Sequence, residues 1–181
     1  MAQHQNLFAA LRASFPTDLD ATAIETCDTA APLYYSWRDI DHASARIANL
    51  LASLELPDGA RIAVQTEKSV EALLLYLAVL RAGYVYLPLN TAYTPAEVAY
   101  FVSDSGAAVL ICDGGSRAAL EPVAAKAGAR LLTLNGDGSG TLADAANDKP
   151  GFYPPAARDA FGLGRSEVDR YRAVGSRFGS G

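Results

Sequence analysis

Cysteine and histidine are scarce, with two of each in 181 residues. Cys27 and Cys112 stand far apart, and neither shares metal-ligand spacing with His4 or His42, so the pattern holds neither a zinc site nor a disulfide framework. Both cysteines sit in apolar, strand-like runs, which predicts buried and unpaired thiols. His42 falls inside a helical pattern and is expected to be a partly exposed filler. Positive charge is also short: fifteen Lys and Arg against twenty Asp and Glu leave a net −5. An acidic chain is a poor partner for phosphate backbones, which select basic surfaces. Long apolar runs are missing too. The longest, residues 72–80, has nine residues before Arg81, about half of what a bilayer-spanning helix needs. The N-terminus lacks the basic start, continuous apolar segment and small-residue cleavage site of a secretory leader. A cytoplasmic protein is the expectation, with neither nucleic acid nor membrane as partner.

The common signatures of nucleotide and hydrolase chemistry are absent as well. There is no G-x-x-x-x-G-K-S/T loop, no G-x-G-x-x-G after a strand and no G-x-S-x-G elbow. The glycine cluster NGDGSG at residues 135–140 carries an acid and no lysine, so it reads as an exposed turn. Residues 162–166, GLGRS, are no closer to a phosphate loop.

What the chain does have is a globular composition, 50% hydrophobic and 19% charged, against about 25% charged in an average domain. Its length suits one domain of roughly 100–200 residues. Leu7, Phe8, Leu11 and Phe15 recur at helical spacing until Pro16 stops them. Residues 22–27 and 33–35 are β-prone and suit a hairpin at a sheet edge. Ser36, with Asp39 three residues on, forms a capping-box pattern that opens a helix bearing Trp37, Ile40, Ile47, Leu50, Leu51 and Leu54 on one face. Strand 61–65 is followed by helix 70–82, N-capped by Ser69 and ended by Gly83. That helix is apolar almost all round and must be covered on most sides.

Strand 84–89 contains Pro88, whose missing N–H is tolerated only at a sheet end or edge. Thr94, Pro95 and Glu97 then mark a helix start, with Val98, Phe101 and Val102 as its buried face. Strand 107–112, helix 116–127, strand 130–134 and one helical turn near residues 142–147 complete the regular pattern. Alternating strands and helices with short connections predict an α/β fold, a mostly parallel sheet with flanking helices joined by right-handed crossovers.

Several stretches carry a resemblance. Residues 80–90, LRAGYVYLPLN, are followed by Tyr93-Thr94-Pro95-Ala96-Glu97 and then by Asp104-Ser105-Gly106-Ala107. Together they closely resemble a core motif of the adenylate-forming (AMP-binding) superfamily of acyl-CoA synthetases, peptide-synthetase adenylation domains and luciferases. Tyr35-Ser36-Trp37-Arg38-Asp39 resembles an earlier motif of the same superfamily, in the right order. Residues 65–72 and 87–94 look most like malonyl-CoA synthetases. The resemblance covers about residues 5–147 and implies the first subdomain of the family's N-terminal domain. In that family malonate or another small carboxylate is joined to coenzyme A with ATP and magnesium, through an acyl-adenylate.

The family's phosphate loop, Y-T-S-G-T-T-G-x-x-K-G, has no counterpart in residues 151–181. The resemblance therefore carries over no catalytic, cofactor-binding or metal-binding residue, and a fragment truncated before that loop, inactive alone, is the expectation. Residues 148–181 read as a divergent tail. Its last 31 residues hold six Gly and five Arg with no Lys, a composition that predicts disorder, with at most a short helix at 165–174. The alternative is a non-catalytic module that pairs with a full-length synthetase or with itself. Chance similarity of an unrelated nucleotide-binding domain is disfavoured by the motif spacing. Two local readings remain: Glu67 and Lys68 at a strand's C-terminal end as ligand contacts, against a solvated helix-entry turn, and Tyr84, Tyr86 and Tyr93 as a ligand groove, against packing. The second reading of each pair is preferred.

Overall fold

Asn6 opens the chain's regular structure in the computed structural model, which describes residues 6–27 and 32–156. Its side chain accepts from Ala9 N–H and caps α1 (Leu7–Ala13). Phe8 is fully buried, but Leu7 and Leu11 are exposed, so α1 buries a narrower stripe than its apolar spacing predicts. β1 (Thr22–Glu25) and β2 (Tyr34–Ser36) pair antiparallel as expected. They form a two-stranded sheet of their own, however, and not the edge of a larger one. Ser36 and Asp39 complete the capping box of α2 (Trp37–Ala52). Its inner face is Ile40, Ser44, Ala45, Ile47, Ala48, Leu50 and Leu51. Leu54 lies beyond the helix end and still packs on the same core.

The main sheet is built from β3 (Arg61–Gln65), β4 (Val85–Pro88), β5 (Val109–Cys112) and β6 (Arg130–Thr133). All pairs are parallel and the order is β4-β3-β5-β6. The connections are α3 (Val70–Arg81), α4 (Pro95–Ser105) and α5 (Arg117–Ala127), with α6 (Thr141–Asn147) after β6. The chain moves one way from β3 to β4 and the other way from β4 to β5. With right-handed crossovers, that reversal puts α3 on one face and α4 and α5 on the other.

Side-chain alternation along the two inner strands divides the core accordingly. Ile62, Val64, Val109 and Ile111 join α2 and α3 in the larger cluster, with Phe8, Leu51, Leu75 and Leu142. Ala63, Leu110 and Cys112 face Val98 and Val102 of α4 and Leu120 of α5. Both inner strands are thus buried on both faces, as parallel strands require. The stretch around residues 142–147 is longer than the single turn expected: α6 runs from Thr141 to Asn147 because Leu142 and Ala146 find buried places beside α2.

Each outer strand carries its own protection. Val85 N–H bonds to the Ala60 carbonyl just before β3 and Leu89 N–H to the Val64 carbonyl within it, so Tyr86 and Pro88 present their backbone outward. Pro88 has no N–H to offer there, which fits the edge position its sequence implied. On β6 the Thr133 N–H donates to Thr141 Oγ1 at 2.9 Å. Gly140 crosses so close to this strand that a Cβ would lie 2.5 Å from the Thr133 carbonyl oxygen. No helix among the described residues is long and apolar enough to cross a membrane.

Candidate functional site

In open parallel sheets ligands bind beyond the C-terminal ends of the strands, where the winding reverses. That place here lies between β3 and β5. Gln65 ends β3 and is 6% exposed. Its amide nitrogen donates to the carbonyls of Asn90 and Tyr93, both at 3.0 Å, tying down the loop from β4 to α4. Glu67 and Lys68 follow and are exposed. Asp113, just past β5, has its pKa raised, first by burial and also by the Glu67 charge, with the Glu67 backbone N–H opposing. One residue on, Gly114 N–H donates to Asn135 Oδ1 at 2.8 Å. Asn135 in turn donates to Ser139 Oγ, and Asp137 accepts from both the N–H and the hydroxyl of Ser139.

The backbone N–H groups of Glu67 and Gly114 are thus engaged within the chain, by Asp113 and Asn135. The glycine turn at 135–140 is largely exposed, as its sequence suggested, and is closed by its own side chains. Among the described residues no group of three or more His, Cys, Asp or Glu could hold a metal ion. His4 and residues 162–166 lie outside the described residues, as does the tail beyond residue 156.

The tyrosines are packed side chains. Tyr86 meets Tyr76 edge-on at 5.2 Å between centroids, and burial, the leading cause, raises its hydroxyl pKa. Tyr93 stacks on Phe101 at 5.1 Å, and Tyr84 lies against the larger core. The two cysteines part company. Cys112 is buried and its thiol is pushed up to about 11, mainly by burial. Cys27 is exposed, contrary to the expectation from its apolar neighbours.

A groove of about 530 Å³ runs between α2 and α6, lined among others by Tyr35, His42, Arg46, Glu71, Leu134 and Leu142. His42 is exposed on its rim. Tyr35 donates its hydroxyl to Glu71 at 3.0 Å, and burial together with Glu71 raises the Tyr35 pKa. The rim mixes charges of both signs above an apolar floor, and it brings none of the other sequence candidates together.

Sequence reasoning passed over Arg81. It is 4% exposed at the end of an apolar helix. Its Nη1 donates to the Asp41 carboxylate and carbonyl, both at 2.8 Å, and to Ser44 Oγ at 3.1 Å. Burial lowers its pKa while Asp41 acts to raise it. The only signal in the sequence was a charge abutting the longest apolar run. Nothing there named its partners, which come from 37–40 residues away.

A family model described as AMP-binding enzyme matches residues 12–160. Among solved structures, MatB from Rhodopseudomonas palustris, known in apo and ATP-bound forms, is 44% identical with a TM-score of 0.79. The match covers 86% of this chain and 30% of that protein. Phosphinothricin tripeptide synthetase PhsB from Streptomyces viridochromogenes is 35% identical over 136 residues, 75% of this chain and 11% of that protein. Long-chain-fatty-acid–CoA ligase FadD13 from Mycobacterium tuberculosis is 31% identical over 109 residues, 58% of this chain and 22% of that protein. The chain therefore spans less than a third of each of these relatives.

Proposed function

This chain belongs to the AMP-binding enzymes, and from that premise we propose that it forms the N-terminal scaffold of an acid–thiol ligase of the malonyl-CoA synthetase kind. The reaction of such a ligase joins a small dicarboxylate to coenzyme A with ATP, through an acyl-adenylate. The observation that carries the reading is the higher identity to MatB, a malonyl-CoA synthetase, than to the peptide synthetase or the long-chain ligase. The motif residues support it by their structural work. Ser36 and Asp39 start α2, Arg81 locks α3, Pro88 ends β4, and Thr94 with Glu97 starts α4.

In this reading the described residues supply the scaffold and the chemistry lies elsewhere in the ligase. The scaffold reading predicts a division of labour. The 181-residue chain, given ATP, magnesium, malonate and coenzyme A, should form no malonyl-CoA and release no pyrophosphate. A chimaera carrying residues 6–156 in place of the matching stretch of MatB should make malonyl-CoA, with malonate preferred over longer acids. A folded but inactive chimaera, together with co-purification of the free chain with an intact synthetase, would favour a non-catalytic pairing module instead.

A further inference from the structure

Residues 150–156, PGFYPPA, lie against the body without joining a strand or helix. Three prolines deny this segment most of a backbone ladder. Four of its carbonyls are instead held by three side chains. Asn49 Nδ2 donates to Pro150 and Phe152, both at 2.9 Å. Arg81 Nε donates to Tyr153 at 2.6 Å. Asn6 Nδ2 donates to Ala156 at 2.9 Å, and Ala156 N–H returns a bond to the Arg81 carbonyl at 2.8 Å.

Two of these three anchors also hold α1. Asn6 caps that helix through its other side-chain atom. Arg81 lies over the Phe8 ring at 4.6 Å and grips Asp41, whose second carboxylate oxygen takes Arg12 of α1 at 2.9 Å. We infer that α1 and the segment 150–156, although 150 residues apart at the Asn6–Ala156 bond, form one latch closed on Arg81 that opens as a unit while the parallel sheet stays folded. The physical reason is shared anchorage. Opening the segment strips Asn6 and Arg81 of bonds that also fix α1, and opening α1 uncovers the guanidinium that holds the segment. Local units of this kind open below the global unfolding free energy. This inference stands apart from the ligase reading.

The test is NMR-detected hydrogen exchange on the whole chain at three places: Ala156 in the segment, Ala10 in α1, and the amides of β3 and β5. Asn49→Ala removes two bonds to the segment and touches nothing in α1. It should speed exchange at Ala156 and Ala10 alike, by about tenfold, and leave the sheet amides unchanged. Asn6→Asp keeps an acceptor for the cap but loses the donor that bonds both Ala156 and the Leu80 carbonyl, so it should move both sites together and serves as the positive control for Asn49→Ala. If either variant speeds Ala156 and leaves Ala10 as it was, the two are separate attachments and the inference fails. It fails equally if neither site moves, or if the sheet amides accelerate with them.

Discussion

Two threonine and serine caps show how single atoms place whole helices in this protein. Thr94 Oγ1 accepts from Glu97 N–H while the Glu97 carboxylate accepts from Thr94 N–H at 2.8 Å. Thr94→Ala should lower stability by about 1 kcal/mol, read from the urea midpoint. The same boxes set a pH dependence. Hydrogen bonds from Ser36 hold Asp39 below its ordinary pKa, and the Thr94 N–H and hydroxyl do the same for Glu97. A depressed folded-state pKa means the unfolded chain binds more protons in the acid range. Their contribution is therefore complete above about pH 5 and fades as pH falls through the ordinary and then the depressed values. The double variant Asp39→Asn, Glu97→Gln should flatten the loss of urea stability between neutral and acid pH. Thiol chemistry separates the cysteines: Ellman titration of the native chain should count one fast thiol, Cys27. Cys112, with its pKa near about 11, should react only after denaturation.

Elements are ended as deliberately as they are begun. Gly106 and Gly128 take left-handed conformations at the ends of α4 and α5, and their role could be read from position alone. Gly140 could not. It has φ +126, and an added Cβ would sit 2.5 Å from the Thr133 carbonyl oxygen. Gly140→Ala should therefore destabilise by about 3 kcal/mol or more. Gly106→Ala, with φ +61 and open space around the position, should lose only about 1 kcal/mol. Comparing their urea midpoints checks both. The caps of α2, α3 and α4 and the edge place of β4 were legible in the sequence because each depends on residues within four positions. The separate hairpin sheet and the second turn of α6 were not, because each depends on contacts with elements far along the chain.

Across the whole molecule, β3 and β5 contribute side chains to both cores, which couples the two faces of the sheet. Leu75 is fully buried in the larger core. Leu75→Ala should remove about 2–5 kcal/mol and shift a single transition. Trp37 fluorescence, which reports on the larger core, and far-UV circular dichroism should then follow one curve. A fluorescence change that preceded the loss of helix signal would show that the faces unfold separately. The candidate site follows the same division. The sequence offered Glu67 and Lys68 at a strand's C-terminal end only as the less favoured ligand contacts, and only the folded chain shows the Gly114 N–H held by Asn135 and the Gln65 amide held by the Asn90 and Tyr93 carbonyls.

The family, the α/β alternation and the caps of α2, α3 and α4 follow from the amino-acid order alone, since these rest on motif spacing, side-chain period and local capping chemistry. Tertiary structure alone decided the strand order, the exposure of Cys27 and the burial of Arg81. Those outcomes turn on which distant groups meet. For Arg81 the partners are Phe8, Asp41, Ser44 and Tyr153, and no local rule could bring them to one guanidinium.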